Sequence, residues 1–141
     1  MSTYEQLKLE NQLCFPLYAA ARKIVNLYTP YLKPLDLTYT QYIVFLYLWE
    51  HNEAKVSDLC RTLYLDNGTI TPLLKKMEAK GWITRCRSKE DERIVHVTLT
   101  ETGTALKEKA KDIPFKVGCC MSIEGLDSSS LYNTLYQILN A

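Results

Sequence analysis

The stretch 65–81, LDNGTITPLLKKMEAKG, constrains the fold more than any other part of the chain. Its apolar residues recur at i, i+3, i+4 and i+7, which places them on one face of a helix. These residues are Ile70, Leu73, Leu74 and Met77. The preceding segment 56–63 has its own apolar stripe, with Ser57 as the predicted N-cap. Two short helices that meet at residues 66–68 form a helix-turn-helix pattern.

Two β-rich runs follow the second helix and flank a polar tip. Residues 82–87 and 94–99 predict the strands of a hairpin, and the tip at 88–93 is charged. A hairpin directly after a helix-turn-helix is typical of a winged helix, a class of domain that binds DNA. The same elements are also compatible with another small α+β domain, so the pattern alone leaves both interpretations open.

Positive charge is concentrated where DNA binding is predicted. The 141 residues carry a net charge of only +1, so the overall charge does not indicate a partner. Between Lys75 and Arg93, however, seven basic residues accompany four acidic ones, a net charge of +3. Three arginines lie on the hairpin alone, at positions 85, 87 and 93. This distribution favours a nucleic-acid surface over an ordinary solvated face.

Length and cysteine usage limit the other functional classes. A chain of 141 residues predicts one domain, spanning 1–141, with a sizeable core. The first residues lack the features of a signal peptide and no apolar run reaches membrane length, so we expect a cytoplasmic protein without membrane contact. The five cysteines, at 14, 60, 86, 119 and 120, have no disulfide-framework or metal-ligand spacing. We therefore expect no metal or cofactor, and we assign Cys60 and Cys86 to packing.

Long helices are predicted on both sides of the winged module. Residues from about 10 to 33 keep helical spacing, and Pro16 is tolerated only in a first turn or at a bend. In either case Cys14 lies near a helix N-terminus. Thr38 and Gln41 form a capping box that begins a second, largely buried helix.

The C-terminal part predicts two more helices, one from Thr100 to Gly118 and one after the cap at 127–130. The expected fold is mainly α with a small β wing. The winged module covers about 55–100, and the helices at about 10–33 and 101–141 are dimerisation helices. Their apolar stripes need a partner, and a second copy of the chain is the simplest one.

Several motifs along the chain belong to one known pattern. They are LCFPLY at 13–18, LTYTQY at 37–42, LDNGTITPLLK at 65–75, DER at 91–93 and LTETG at 99–103. Over nearly its whole length the chain resembles MarR-type winged-helix repressors, specifically the organic-hydroperoxide-sensing branch often called OhrR. The wing motif marks the broad family, whereas Cys14, Tyr28 and Tyr39 together are the sharper signal for peroxide sensing.

This resemblance implies a homodimeric repressor, not an enzyme, that holds double-stranded operator DNA until an organic hydroperoxide oxidises Cys14. By the same likeness, Tyr28 and Tyr39 hydrogen-bond the thiolate, and Cys119 has the position of a resolving cysteine. Cys120 departs from the pattern, because it offers a second candidate resolving thiol. Disulfide formation and capping by a low-molecular-weight thiol both stay open.

The chemistry places a geometric demand on this site. Peroxides react with a thiolate, which a helix N-terminus and hydrogen-bond donors stabilise, and Arg22 two turns on adds positive charge. Cys14 and Tyr28 are 14 residues apart, about 21 Å along one helix at about 1.5 Å per residue. They share a site only if the helix lies antiparallel to its copy across a two-fold axis. Sensing therefore requires the homodimer. The alternatives are core packing for Cys14 and for both tyrosines.

The helix-turn-helix supplies the predicted groove contacts. We expect Thr69 and Thr71 at base edges or phosphates, and Lys75 and Lys76 at phosphates. Asn67 either pairs with adenine or is a turn or first-turn residue.

The wing supplies the rest of the predicted interface. We expect Arg93 in the minor groove, with Asp91 orienting it. Phosphate contacts doubled by the dimer predict binding that weakens steeply with salt.

Three alternative functions remain at this stage. A MarR-like repressor can instead be released by a phenolic or apolar ligand, and that effect survives excess reductant. A thiol peroxidase would turn over at Cys14, although no recycling motif is visible. A helical adaptor would not bind duplex DNA.

Overall fold

The computed structural model describes residues 4–141, which form a mainly helical chain with a small three-stranded sheet. The helices are α1 (Cys14–Leu32), α2 (Tyr39–His51), α3 (Val56–Leu63), α4 (Asn67–Ala79), α5 (Glu101–Ala110), α6 (Ile113–Cys120) and α7 (Ser128–Leu139). The strands are β1 (Glu53–Lys55), β2 (Ile83–Arg87) and β3 (Val95–Leu99), and short 3₁₀ turns occupy Glu5–Leu7, Leu9–Asn11 and Lys33–Leu35. This architecture confirms the predicted fold class.

The sequence predicts neither a signal peptide nor a membrane-spanning segment. The absence of a signal peptide was inferred partly from Met1, Ser2 and Thr3, which lie outside the described residues. Within residues 4–141, every helix is too short or too polar to span a bilayer.

Helices α1 and α2 begin where the sequence predicts. Helix α1 starts at Cys14, so Pro16 lies in its first turn, where its missing N–H has no cost. The Thr38 hydroxyl accepts the Gln41 N–H at 3.3 Å, and the Gln41 side chain accepts the Thr38 N–H at 3.0 Å. This capping box is the predicted one. Asp36, with a left-handed φ of 59°, turns the chain between the two helices.

The wing contains a strand that the sequence did not predict. The three-residue β1 pairs antiparallel with β3, which also pairs with β2, giving the order β1-β3-β2. Because this pairing keeps the chain extended through Lys55, α3 begins directly after the strand. Lys55 is therefore the N-cap, without a side-chain bond, and Ser57 lies inside the helix. The prediction of Ser57 as N-cap is wrong.

The core lies between α2, α4 and the sheet. The four apolar residues of the predicted stripe on α4 are all buried, which confirms that face; they are Ile70, Leu73, Leu74 and Met77. Phe45 of α2 stacks on Trp49 at 5.0 Å and meets Trp82 edge-on at 5.5 Å between ring centroids. Trp49 Nε1 also donates to the Gly103 carbonyl at 3.0 Å, which joins α5 to this aromatic cluster.

The predicted helix from Thr100 to Gly118 is two helices. Pro114 has no N–H to donate to the carbonyl of Ala110, and its ring clashes with that carbonyl, so the helix breaks at residues 111–112. Helix α6 then restarts with this proline in its first turn and continues past Gly118 to Cys120. Consequently Cys119 and Cys120 lie in the last turn of α6, rather than beyond a helix end.

The terminal helices carry apolar surface that one chain leaves exposed. Helix α7 contains no buried residue, and its exposed apolar side chains are Leu131, Tyr132, Leu135, Tyr136, Ile138 and Leu139. The first half of α1 is similar, since Phe15 and Leu17 are 46% and 43% exposed. Exposed apolar side chains in this number are typical of interaction faces.

Candidate DNA-binding surface and thiol site

The N-terminus of α4 is held by its cap and presents polar groups to solvent. The Asp66 carboxylate accepts the Thr69 N–H at 2.7 Å, and this bond lowers the pKa of Asp66. Asn67 and Thr69 are exposed in the first turn. Asn67 Oδ1 accepts the Cys60 thiol at 3.5 Å, so the two helices of the helix-turn-helix are bonded at their junction. Burial, followed by the nearby Asp66 carboxylate, raises the pKa of Cys60.

A cleft of about 600 Å³ separates α3 and α4 from the wing. Its lining includes Asn67 and Thr71 of α4, apolar side chains, and four arginines of α3 and the wing, namely Arg61, Arg85, Arg87 and Arg93. Lys75 and Lys76 are exposed further along α4. The structure thus places Asn67, Thr71 and Arg93 around one cleft, whereas Lys76 lines a different cavity near the turn at Asp36. Arg61 was not predicted, because only the fold brings α3 to this cleft, whereas Arg87 is one of the hairpin arginines whose charge favoured a nucleic-acid surface.

At the wing tip, Asp91 holds Arg93 through both carboxylate oxygens. Arg93 Nε and Nη2 donate to Asp91 Oδ1 and Oδ2, each at 3.1 Å, while the Arg93 side chain is 90% exposed. These bonds lower the pKa of Asp91. Arg87 Nη1 donates to the Glu92 carbonyl at 2.7 Å and braces the same loop. The wing therefore presents an oriented and accessible guanidinium group.

Arg85 has a different role from the other wing arginines. Its Nη2 donates to Glu78 Oε1 at 3.1 Å, and its N–H donates to Glu78 Oε2 at 2.9 Å. These bonds lower the pKa of Glu78. They join β2 to α4, so much of the Arg85 charge is neutralised within the protein.

Lys80 connects the end of α4 to the turn between α1 and α2. Its Nζ forms an ion pair with the Asp36 carboxylate, donates to the Asp36 carbonyl at 3.0 Å and lies 4.8 Å from the Trp82 ring centroid. Periodicity placed Lys80 on the exposed face of the helix. It gave no indication of this partner, which lies 44 residues away in sequence.

Tyr28 and Tyr39 lie together in one subunit, with ring centroids 4.9 Å apart. Tyr42 packs against Tyr28 at 5.5 Å. Burial raises the pKa of Tyr39 and raises that of Tyr42 to about 12. The phenols of Tyr39 and Tyr42 therefore keep their protons at neutral pH and remain able to donate hydrogen bonds.

Cys14 is remote from these phenols within the same chain. It is exposed at the first residue of α1, about 21 Å along the helix axis from Tyr28 at about 1.5 Å per residue. A buried core role for Cys14 therefore does not apply within one chain. The guanidinium group of Arg22 lies 5.5 Å from the centroid of the Tyr18 ring, which belongs to the preceding turn of α1.

A second group of reactive side chains lies where α6 meets α1. Cys120 Sγ is 3.8 Å from the Tyr31 hydroxyl, and Lys116 Nζ is 5.7 Å from the centroid of the Tyr31 ring. Hydrogen bonding to Cys120 raises the pKa of Tyr31. Cys119 is exposed beside this pair. Sequence reasoning missed Tyr31, which lies 89 residues from Cys120 along the chain. In the described part of the chain, no three His, Cys, Asp or Glu side chains cluster as a metal site.

The helix-turn-helix, the three-stranded wing and the basic cleft between them define a winged-helix, DNA-binding transcriptional regulator. Residues 26–110 match the family described as transcriptional regulator SarA/Rot. The chain belongs to this family of MarR-like winged-helix regulators.

Individual relatives agree with this assignment. The organic hydroperoxide resistance transcriptional regulator of Bacillus subtilis is 49% identical over 136 residues, which cover 96% of this chain and 92% of the relative. The HTH-type transcriptional regulator SarZ of Staphylococcus aureus is 40% identical over 131 residues, covering 93% and 88%. The predicted resemblance to the hydroperoxide-sensing branch is thus confirmed. Because these relatives are transcriptional regulators, the peroxidase alternative is not supported.

Solved structures of AbfR from Staphylococcus epidermidis are similar over the same length. Reduced AbfR bound to DNA is 35% identical, with a TM-score of 0.77 and 96% coverage of each chain. Disulfide-formed AbfR is 34% identical, with a TM-score of 0.69 and coverage of 96% of this chain and 93% of that one. Overoxidised AbfR bound to DNA has a TM-score of 0.78, so this chain is more similar to both DNA-bound forms than to the disulfide form.

Proposed function

We propose that the chain is a homodimeric repressor that senses organic hydroperoxides through oxidation of Cys14 and then releases its operator DNA. The observation that carries the proposal is the separation of the thiol from the phenols. The rings of Tyr28 and Tyr39 are 4.9 Å apart, whereas Cys14 is exposed about 21 Å from Tyr28 along the axis of α1. An antiparallel second copy of α1 brings each thiol to the phenols of the other subunit.

The exposed apolar helices support the dimer. An isolated helix of 12 residues, such as α7, is marginal in water, and α7 has no fully buried residue in the single chain. Pairing with a second copy gives α1 and α7 a buried face. In this arrangement α1 and α5–α7 form the dimerisation region, and residues 53–99 form the winged module.

Oxidation at Cys14 is a two-electron reaction. The thiolate sulfur attacks one peroxide oxygen, the O–O bond breaks, and the sulfur becomes a sulfenic acid while the peroxide leaves as an alcohol after taking up a proton. The position of Cys14 at the N-terminus of α1 and two phenolic donors from the other subunit favour the thiolate. Loss of the thiolate weakens those hydrogen bonds.

The link between α1 and α4 gives oxidation a route to the DNA. A shift of α1 moves the turn at Asp36, to which Lys80 holds the end of α4. Two half-sites of a symmetric operator tolerate little change in the distance between recognition helices, so a small shift lowers affinity. This chain matches the DNA-bound forms of AbfR, reduced and overoxidised, more closely than the disulfide form, which supports a conformation that is competent to bind DNA.

In the reduced state, the helix and the wing divide the DNA contacts. Thr69 and Thr71 contact base edges or phosphates, Lys75 and Lys76 contact phosphates, and Asn67 lies at the helix start beside them. Arg93 is the proposed minor-groove contact of the wing tip, and its hydrogen bonds to Asp91 support this role because they orient its guanidinium group.

The test replaces the sensing thiol. We expect Cys14→Ser to keep nearly full affinity for operator DNA and to lose release by one equivalent of cumene hydroperoxide, as measured by fluorescence anisotropy. Cys86, which the sequence assigned to packing, is instead exposed on β2. Cys86→Ser is therefore the matched control and should release DNA as the unaltered protein does. Continued release from Cys14→Ser would remove Cys14 from the mechanism.

A cavity favours one second candidate, a repressor released by a phenolic or apolar ligand. It measures about 650 Å³ and lies between α1, the turn at Asp36 and the end of α4. Its lining combines apolar side chains with lysines, including Val25, Leu37, Tyr39, Lys33, Lys76 and Lys80. Excess dithiothreitol distinguishes the two functions, because it reverses oxidation and leaves ligand-driven release unchanged.

A further inference from the structure

We propose that the Cys60 thiol orients the side-chain amide of Asn67 at the start of α4, so that Asn67 is a hydrogen-bond donor to a base edge rather than a bidentate reader of adenine. The inference rests on the proposed DNA contact of Asn67 and concerns its base specificity. Cys60 is a positioning residue in this arrangement, because it acts on DNA through Asn67.

Backbone hydrogen bonds hold Cys60 at the turn between α3 and α4. Its carbonyl oxygen accepts the N–H of Tyr64, which has a left-handed φ of 56°, and the N–H of Leu65 at 3.0 Å. Its side chain is partly buried and packs against the hydrophobic core. These contacts fix the last turn of α3, so the Cys60 sulfur has a defined position relative to the start of α4.

The Asn67 side chain is held between its own helix cap and this sulfur. Asn67 is the first residue of α4, directly after the N-cap Asp66, whose carboxylate accepts the Thr69 N–H at 2.7 Å. The Cys60 thiol donates to Asn67 Oδ1 at 3.5 Å. Burial raises the pKa of Cys60 and the Asp66 carboxylate raises it further, so the thiol keeps its proton and remains a donor. The oxygen of the Asn67 amide therefore faces α3.

The orientation of an asparagine amide decides which bases it can read. Adenine presents an N6 donor and an N7 acceptor in the major groove, so bidentate pairing needs both the oxygen and the nitrogen of the amide at the base edge. The oxygen of Asn67 is turned toward the Cys60 sulfur, which leaves the Nδ2 group as a donor. Such a donor suits N7 of either purine or O4 of thymine, and it opposes cytosine, which presents only a donor there.

The rest of the cleft between the helix-turn-helix and the wing favours a base contact over a phosphate contact. Asn67 and Cys60 line this cleft of about 600 Å³ together with four arginines. Arginines form charge-assisted hydrogen bonds to phosphate, which are stronger than those of a neutral amide. The arginines are therefore the better partners for phosphates, and the Asn67 amide is left for the base edges.

Selection from a duplex library tests the assignment. The reduced, full-length protein and its variants each select from randomised duplex DNA, and sequencing of the bound fraction gives the relative affinity for each base at each position. For the unaltered protein we expect the Asn67 position to disfavour cytosine and to accept adenine and guanine equally. Cys60→Ala removes the thiol donor and frees the amide oxygen. We expect it to raise the affinity for adenine relative to guanine by about two- to fivefold, since a thiol is a weak donor.

Cys60→Ser is the matched control, because its hydroxyl retains a donor, and it should keep the base preferences of the unaltered protein. The double variant Cys60→Ala/Asn67→Ala should show the same preferences as Asn67→Ala, since no amide is left to orient. A substitution that merely loosens the turn would lower the affinity for all duplexes in both backgrounds. Unchanged preferences in Cys60→Ala, the same change in Cys60→Ser, or a change that persists without the Asn67 amide would each overturn the inference.

Asn67→Ala alone tests the base contact. We expect it to remove the bias against cytosine at one position of each half-site, whereas an equal loss of affinity for all duplexes would indicate a phosphate contact and overturn the inference. All selections use reduced protein, so they do not depend on oxidation of Cys14. Failure to select any sequence would contradict the proposed function as well. Sequence-specific binding with unchanged preferences in Cys60→Ala would contradict only this inference.

Discussion

At the scale of single residues, the cap of α4 is expected to make stability depend on pH. The Thr69 N–H lowers the pKa of Asp66 below its ordinary value of 3.8. A carboxyl group with a lowered pKa in the folded state stabilises the fold above its unfolded pKa, and this contribution is lost as pH falls through the folded pKa. In urea unfolding between pH 7 and pH 3, the stability difference between the unaltered protein and Asp66→Asn should therefore narrow in the acid range.

Asp112→Asn is the matched control for this measurement. Asp112 also occupies an N-cap, but its side chain makes no capping hydrogen bond. We expect its substitution to leave the acid dependence unchanged. A stability difference for Asp66→Asn that stays constant down to pH 3 would contradict the role of the cap.

Arg93 is the residue at which the wing is most directly tested. Its guanidinium is oriented by Asp91 and 90% exposed, so its removal should cost DNA contacts without disturbing the core. We expect Arg93→Ala to weaken operator binding. We also expect the slope of log K against the logarithm of the salt concentration to become shallower by about one for each subunit. Anisotropy titrations at several salt concentrations measure both effects.

Lys111→Ala serves as the charge-matched control for Arg93→Ala. Lys111 follows α5, where it pairs with Glu108 away from the wing. Lys111→Ala should leave the salt dependence of operator binding unchanged. A loss of operator affinity equal to that of Arg93→Ala would instead show a non-specific effect of charge.

At the scale of elements, the contact between α5 and the sheet depends on one glycine. A Cβ added at Gly103 would lie 2.2 Å from the carbonyl oxygen of Trp82, the residue just before β2, so the backbone of α5 or of this residue would have to move. We expect Gly103→Ala to lower the free energy of unfolding by about 1–3 kcal/mol. Gly118→Ala is the control, since its Cβ would meet nothing within 4 Å and alanine favours a helix. Equal stability of the two variants in urea unfolding would contradict the close packing of α5.

Elements with strong local signals were predictable from sequence. The capping box at Thr38, the apolar stripe of α4 and the two strands of the hairpin depend on neighbouring residues, and the structure has all three. Strand β1 has only three residues and exists because β3 pairs with it, so local pattern did not reveal it. The break between α5 and α6 was signalled by Pro114, but the apolar stripe continues across it and conceals it.

The candidate site was predictable in part, and distance along the chain explains the rest. Cys14, Tyr28, Tyr39 and Arg93 were identified from motifs. The partners of Lys80 and Cys120 were not, because 44 and 89 residues separate each from its contact. Such contacts form only when the whole chain folds, and residue spacing carries no signal for them.

At the scale of the whole molecule, the account depends on two subunits. Each chain carries Cys14 at one end of α1, whereas the paired phenols of Tyr28 and Tyr39 lie near the other end. Mixed dimers therefore test the account directly. A dimer of one Cys14→Ser chain with one Tyr28→Phe/Tyr39→Phe chain has a single complete site if the site is formed between subunits. If the site belongs to one chain, the same dimer has none.

The decisive measurement is the rate at which this mixed dimer consumes cumene hydroperoxide, compared with both parent homodimers. The account predicts oxidation of one Cys14 per mixed dimer at a rate near that of a site in the unaltered protein, with little reaction in the Cys14→Ser parent and slow reaction in the tyrosine variant. A mixed dimer that reacts no faster than the tyrosine variant would contradict it.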